Sequence, residues 1–358
     1  MNLENCLSKE IGLFTSMRCY AIIADHLTLP IDEGLKKVTF EMMRFASNMK
    51  DVDIFSSPED IGINGVSLFK ANKLMFSREI RQIMHKREYT DIIYIPAAST
   101  TFNSFIRAWL ITQQAPKGAI VHVVNSQERN LNKWQWTIVK RLKNIEVISF
   151  SHSSCEKYKV QGIKTLELSC GVDINVFKPV SDKEKQVLRK KYNLPLDKKI
   201  ILHVGHVCNN RNISIFKGLQ KNEFQVVIVG STSMSFENDL ANELLGCGIK
   251  IWADYNPNVE EFYQLCDLYV FPVLLPNAAI EFPLSVLEAM ACGLPVITTR
   301  FGALSEYFQE SSCFSFLDTD TIPIEKVNEL IGGGADSNRE IVVERFSWNK
   351  VFSKLLGV

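Results

Sequence analysis

Nine cysteines are scattered through the 358 residues with no CxxC pair and no regular spacing. That lack argues against a disulfide framework or a thiolate zinc site, and for reduced, buried thiols in a cytoplasmic protein. No apolar run approaches the roughly 20 residues needed to cross a bilayer. The opening MNLENCLSKEIGLF carries acids early and has no signal-peptide core, so it reads as a short helix or a disordered lead-in. Net charge is also missing, with 40 Lys and Arg against 40 Asp and Glu. No nucleic-acid partner is expected, and no carboxylate pair or histidine cluster is placed to hold a metal.

What is present suits a globular protein: an apolar fraction of 46% and a charged fraction of 22%. The length is too great for one typical core and suggests two domains, 1–178 and 179–358. Charge divides unevenly between them. Residues 1–178 hold 23 Lys and Arg against 18 Asp and Glu, and 179–358 hold 17 against 22. A basic first half suits an anionic acceptor or a membrane surface, and chance gives an asymmetry of this size equally well.

The chain is organised around residues 265–306. Leu268–Val273 is an apolar run, as in a strand of a parallel sheet. Leu284–Ala291 has apolar residues at helical spacing, Gly293 and Pro295 stop it, and Val296–Thr299 begins a second buried strand. Such a unit puts the loop and the helix N-terminus at the carboxyl edge of the sheet. Ligands of open α/β folds bind at that edge, and a phosphate is favoured at the free N–H groups there. Glu288, about one turn inside the helix, would reach a sugar hydroxyl attached to that phosphate. The plain reading of the same pattern is a buried βαβ unit with a surface glutamate.

The segment FPLSVLEAMACGLPVI, residues 282–297, resembles the donor site of family-4 (group 1) retaining glycosyltransferases of the GT-B fold. In that family a Glu-x7-Glu pair brackets a turn over a nucleotide-sugar. The second glutamate falls on Glu288, which the resemblance implies binds the ribose hydroxyls. The first falls on Ile280, which cannot serve, and Glu281 stands one position away. The string Gly171-Val172-Asp173 with Phe177 and Pro179 is a second match, closing the first domain. A family member would show Gly-Arg after the first strand of the second domain, with Lys five residues on, both gripping the diphosphate. This chain has Gly205, His206 and Arg211. Arg211 keeps a fixed cation that can fork onto phosphate oxygens, whereas His206 is cationic only part of the time near neutral pH. Gly34 takes the place of the family's glycine loop facing acceptor and donor phosphate. Phe301–Glu306 and Phe346-Ser347-Trp348 match the family's later turn and closing segment.

Elsewhere the reading is of βα rhythm. Strands are expected at Cys19–Ala24, Asp53–Phe55, Asp91–Ile95, Ala119–Val124, Glu146–Ser151 and Thr165–Leu168, with helices at Leu35–Met49 and Phe76–His85. Asn125 ends a strand where the family often has histidine. His122 reads as a satisfied core histidine, and His26 in the first loop is freer to meet substrate. Residues 129–144 mix Trp134, Trp136, Ile138 and Leu142 with Arg129, Lys133, Lys140, Arg141 and Lys143. They form either a helix at a lipid headgroup surface or a surface helix packed on the domain. Gly171 is expected to supply a backbone angle that other residues avoid. In the second half, Lys199–Gly205, Phe224–Ser231 and Lys250–Ala253 read as strands, HVCNNRN leads to a helix, and Val259–Cys266 is another. Gly332-Gly333-Gly334 is a flexible break and not a phosphate loop, because a helical pattern precedes it.

The resemblance therefore implies an α/β protein of GT-B architecture, two Rossmann-like domains facing across a cleft. It would move a sugar, with retention, from a nucleotide-sugar on the second domain to a glycan, lipid or small-molecule acceptor on the first. It would be metal-independent and need no cofactor, the nucleotide-sugar being a substrate. Glu281, Arg211 and His206 are the catalytic candidates, and Gly34, Gly205, Phe282, Leu284, Ser285 and Glu288 the donor-binding ones. His26 and Asn125 lie on the acceptor side. For Glu281 to serve, the loop Asn277–Pro283 must aim it into the cleft. Otherwise it faces solvent and Ile280 packs on the strand Leu268–Phe271. Two alternatives stay open: a sugar-nucleotide epimerase of the same architecture, and a degenerate donor-binding subunit, suggested by Ile280, His206 and Asn125.

Overall fold

The computed structural model of the protein describes residues 18–97, 100–127, 130–221, 223–230, 237–318, 320–333 and 336–356. The opening segment, Arg129, Ser231 and Gly334, on which some of the expectations fall, lie outside the described residues.

The first domain runs β1 (Tyr20–Leu27), α1 (Gly34–Ala46), β2 (Val52–Pro58), β3 (Val66–Leu68), α2 (Arg78–Met84) and β4 (Asp91–Ile95). It continues with α3 (Phe102–Thr112), β5 (Ile120–Asn125), α4 (Lys133–Val139), β6 (Ile145–Ser149), α5 (His152–Val160) and β7 (Thr165–Glu167). Its sheet has seven strands in the order β3-β2-β1-β4-β5-β6-β7, all parallel. Runs such as YAIIA in β1 and DIIYI in β4 are buried along their length, as parallel strands covered on both faces must be.

The second domain runs α6 (Asp182–Lys191), β8 (Lys199–Val204), β9 (Phe224–Val229), α7 (Asn238–Gly246), β10 (Lys250–Trp252), α8 (Val259–Leu265) and β11 (Leu268–Phe271). Then follow α9 (Leu284–Ala291), β12 (Val296–Thr298), α10 (Leu304–Tyr307), β13 (Phe314–Phe316), α11 (Ile324–Gly332), α12 (Asp336–Arg345) and α13 (Trp348–Leu356). Six parallel strands lie in the order β10-β9-β8-β11-β12-β13. A capping box, Ser181 with Glu184, starts α6 at the entry to this domain.

The two sheets make the architecture that of GT-B, two Rossmann-like domains across a cleft. One apolar cluster runs through both, from Met42 and Val172 to Phe262 and Phe352. The last helix, grouped by sequence with 179–358, packs on the first domain instead, where Phe352 stacks on Phe45 at 4.5 Å. The chain therefore crosses between domains twice, after β7 and before α13. The crossings lie side by side, with Val172 N–H donating to Phe346 O at 2.9 Å.

Several local expectations need correction. Gly171 has no left-handed backbone angle. A Cβ there would stand 2.5 Å from the Trp348 ring, so close approach and not conformation requires the glycine. HVCNNRN leads into two short 3-10 turns, Asn209–Arg211 and Ile213–Gly218, separated by left-handed Asn212 (φ 56°). Of the described cysteines, all free, Cys247 is exposed and Cys19 half-buried, and the rest are buried. His122 is satisfied at one nitrogen only: its Nε2 lies 2.8 Å from Asp91, while its buried Nδ1 has no hydrogen-bond partner and stands 3.6 Å from Glu146. The helix within 129–144 is short; Trp136 packs edge-on against Tyr158 and Trp134 against Phe102.

Candidate functional site in the interdomain cleft

In both sheets the strand order reverses beside the first strand, between β1 and β4 and between β8 and β11. The crevice at such a switch point, outside the carboxyl ends of the strands, is where open α/β sheets admit ligands. Here two switch points face each other. The turn after β1 delivers Gly34 at the start of α1, the turn after β8 delivers Gly205 to Arg211, and the loop after β11 delivers the start of α9. These segments line one cavity, which holds seven of the expected residues: Gly34, Gly205, His206, Arg211, Leu284, Ser285 and Glu288. The N-termini of α1 and α9, helices of 13 and 8 residues, open onto it, and their unsatisfied N–H groups favour an anion.

Arg211 brings a buried guanidinium to this cavity. No carboxylate pairs with it among the described residues, and its Nε is shielded from solvent without a hydrogen-bond partner. Burial lowers its pKa from the usual value, yet a guanidinium stays charged at any ordinary pH. Its position depends on Gly205: a Cβ there would lie 3.2 Å from Arg211 Nη1 and 3.1 Å from His203 Nε2. His203 is fully buried and sets its Nδ1 on Val270 O at 3.0 Å, which assigns the proton to Nδ1. Burial, then the neighbouring Arg211 and His206, pushes its pKa down to about 3. His206 is pushed down to about 4, by burial first and Arg211 second. Both imidazoles are neutral at pH 7, so the expectation of a part-time cation at His206 does not hold.

Glu288 is buried, 4% exposed. Its carboxylate forms an ion pair with Lys37 of α1 and accepts a 2.8 Å hydrogen bond from Tyr263. Lys37 was not singled out by the sequence reading. The signal was there: it lies three positions after Gly34 and so shares that glycine's face of α1. Lys37 also sits over the Phe177 ring, 4.8 Å from its centroid.

Glu281 does not turn into the cavity, and it does not face solvent either. Its carboxylate accepts from Ser151 Oγ at 2.9 Å and Ser154 Oγ at 2.6 Å, at the start of α5. Its own N–H donates to Ser126 O and its carbonyl accepts from Ala303 N–H. Ile280 takes the cavity wall, packing on Gly34 of the other domain. The structure thus corrects the direction expected of Glu281. Phe282 is also out of reach as a side chain, fully buried and stacked on Tyr307 at 4.9 Å. Asn125 is buried below the cleft, donating to Ser149 Oγ and accepting from Tyr158. His26 is exposed at the end of β1, beside Lys36 and Thr39 in a separate shallow depression.

Residues 184–321 match the family of glycosyl transferases group 1. The match falls on most of the second domain and none of the first. The lipopolysaccharide core mannosyltransferase LpsB of Rhizobium meliloti is 26% identical over 199 residues, 52% of this chain and 53% of that protein. An uncharacterized glycosyltransferase of Methanocaldococcus jannaschii is 30% identical over 243 residues, 62% and 58% of the two chains. The chain spans about half the length of the curated relatives it matches. Among solved structures, Anabaena HepE in complex with UDP superposes with a TM-score of 0.74, at 14% identity over 95% of this chain and 98% of that one. A Rickettsia africae glycosyltransferase gives 0.76 at 16% identity, over 95% and 97%. At such identity these likenesses show the fold alone, and the cleft must be read from this chain's own residues.

Proposed function

We propose that the protein transfers a glycosyl group from a nucleoside diphosphate sugar to an acceptor on the first domain, keeping the anomeric configuration. The observation that carries this reading is Arg211, a buried guanidinium with no carboxylate partner among the described residues, set between two helix N-termini. An unpaired buried charge is costly to maintain, and a diphosphate would remove that cost when it binds. The diphosphate is also the leaving group. Its charge grows as the glycosidic bond breaks, so fixed cations and amides stabilise the transition state more than the ground state. Glu288 would accept from the ribose hydroxyls. HepE has been solved with UDP and with UDP-glucose, which supports a uridine nucleotide as the first probe.

No cofactor or metal enters this reading; the basic side chains and helix termini that line the cavity face the phosphates. Transfer that persists in EDTA is expected. The exposed Trp134 and Ile138, with Lys133, Lys140 and Arg141, support a lipid-bearing acceptor approaching the first domain. The epimerase alternative is not favoured, since the matches are to glycosyltransferases.

The test is calorimetric titration with UDP, GDP, ADP and dTDP, then NMR of the product anomer using the sugar nucleotide of whichever binds. Binding by one of them with release of a transferred sugar is expected. Absence of binding by all four would overturn the reading, and tight binding with neither transfer nor hydrolysis would favour a degenerate donor-binding subunit.

A further inference from the structure

The cavity is short of positive charge for the diphosphate it is proposed to hold. Arg211 supplies one cation, His206 and His203 are neutral at pH 7, and a nucleoside diphosphate sugar brings two negative charges. Among the described residues, the other ammonium or guanidinium group on the cavity wall belongs to Lys37, and it comes from the opposite domain. Lys37 is held on Glu288, the carboxylate proposed to take the ribose. Its second contact is the face of Phe177, which is weak and undirected. The ion pair thus sets the two charges against each other: a carboxylate awaiting hydroxyls and an ammonium awaiting phosphate.

Resting on the donor reading above, we propose that Lys37 is the second cation of the diphosphate site, released from Glu288 when ribose hydroxyls replace it there. The lysine sits in the first turn of α1, so its four-carbon stem starts at the cavity mouth. Its side chain is 24% exposed. An ammonium has three donors on a flexible stem and moves between oxygen partners with little reorganisation. No bond is made or broken in this exchange. The displaced hydrogen bond of Glu288 passes to a ribose hydroxyl, and Lys37 moves to a phosphate oxygen. Nucleotide then binds both domains, through Arg211 on one and Lys37 on the other. An empty second domain alone would bind it less well.

The experiment compares Lys37→Met with wild type, using the nucleoside diphosphate that wild type binds among the four above and the matching unphosphorylated nucleoside. Lys37→Met should lower diphosphate affinity at least tenfold and leave nucleoside affinity within twofold or improved, because Glu288 loses its competitor. Equal losses for both ligands would mean that Lys37 only positions Glu288, and unchanged diphosphate affinity would also overturn the proposal. Because Lys37→Met leaves a buried carboxylate unpaired, the same substitution is repeated in a Glu288→Gln background, where no ion pair remains to break. A tenfold loss of diphosphate affinity there, relative to Glu288→Gln alone, is expected; no further loss would overturn it. Failure of wild type to bind any of the four diphosphates would sink the donor reading itself, a result distinct from an unaffected lysine variant.

Discussion

Arg211 and His206 line the same cavity and carry different charges at neutral pH, so they should respond differently to substitution. Arg211→Gln is expected to weaken nucleoside diphosphate binding at least tenfold, about 1.4 kcal/mol. His206→Gln should stay within about twofold at pH 7.5, because a neutral imidazole burdened by burial is replaced by another neutral polar group. Calorimetry on both variants checks this, and equal losses would assign His206 a direct phosphate contact. His203 makes a prediction about acid stability. Its folded pKa, about 3, lies below the ordinary 6.5, so the unfolded chain takes up a proton that the folded chain refuses. Its contribution to stability is therefore whole above pH 6.5 and falls as pH drops toward 3, by about 1.4 kcal/mol per unit at most. Urea midpoints of His203→Gln should show a shallower decline between pH 6.5 and 4 than wild type; parallel declines would mean the imidazole titrates freely. At this scale the sequence was informative where a residue sits at a fixed distance from a strand end, as Gly205, Arg211 and Glu288 do. It misplaced Glu281, whose partner Ser151 lies 130 residues upstream and is brought near only by the facing of the domains.

Helix α5 shows the same limit for an element. Ser151 is its N-cap and accepts from Ser154 N–H at 3.1 Å, as a local pattern suggests. The acids that complete the start come from the other domain. Glu306 accepts from the N–H groups of His152 at 2.6 Å and Ser153 at 3.1 Å, and Glu281 takes both serine hydroxyls. A helix start of the first domain is thus closed by carboxylates of the second, which favours the docked arrangement through the helix dipole and charge-assisted hydrogen bonds. Glu281→Gln should cost about 1–3 kcal/mol of stability and leave nucleotide affinity within about twofold. A double-mutant cycle with Ser154→Ala measures the coupling; a coupling near zero, or a tenfold fall in nucleotide affinity, would contradict this assignment. Gly302 holds the loop from behind, with φ +53° and a would-be Cβ only 2.0 Å from Glu281 O. Gly302→Ala should therefore destabilise by more than the roughly 1–2 kcal/mol of a left-handed residue alone, read as a shift in the thermal midpoint. The βα rhythm was legible because buried parallel strands are continuous apolar runs. β3, three residues long and half exposed, and the 3-10 turns after β8 carry no such signal.

For the molecule as a whole, the apolar cluster shared by both domains predicts joint unfolding. Phe352 is 1% exposed and stacked on Phe45 of the first domain, though it lies on the last helix. Phe352→Ala should cost about 3–5 kcal/mol and shift one cooperative urea transition, with fluorescence and circular dichroism coincident. Two separated transitions, with the second domain unmoved, would show that the cluster does not couple them. The resemblance at 165–350 made two domains and a cleft legible from sequence. It did not indicate that the final helix returns to the first domain, since an amphipathic helix reads alike whichever domain it covers. That return has a mechanical corollary. Because the backbone passes between the domains at two adjacent places, joined by the Val172–Phe346 hydrogen bond, no single break severs the connection. A protease nick between 174 and 180 should leave a particle that elutes from gel filtration unchanged and separates into two fragments only in denaturant.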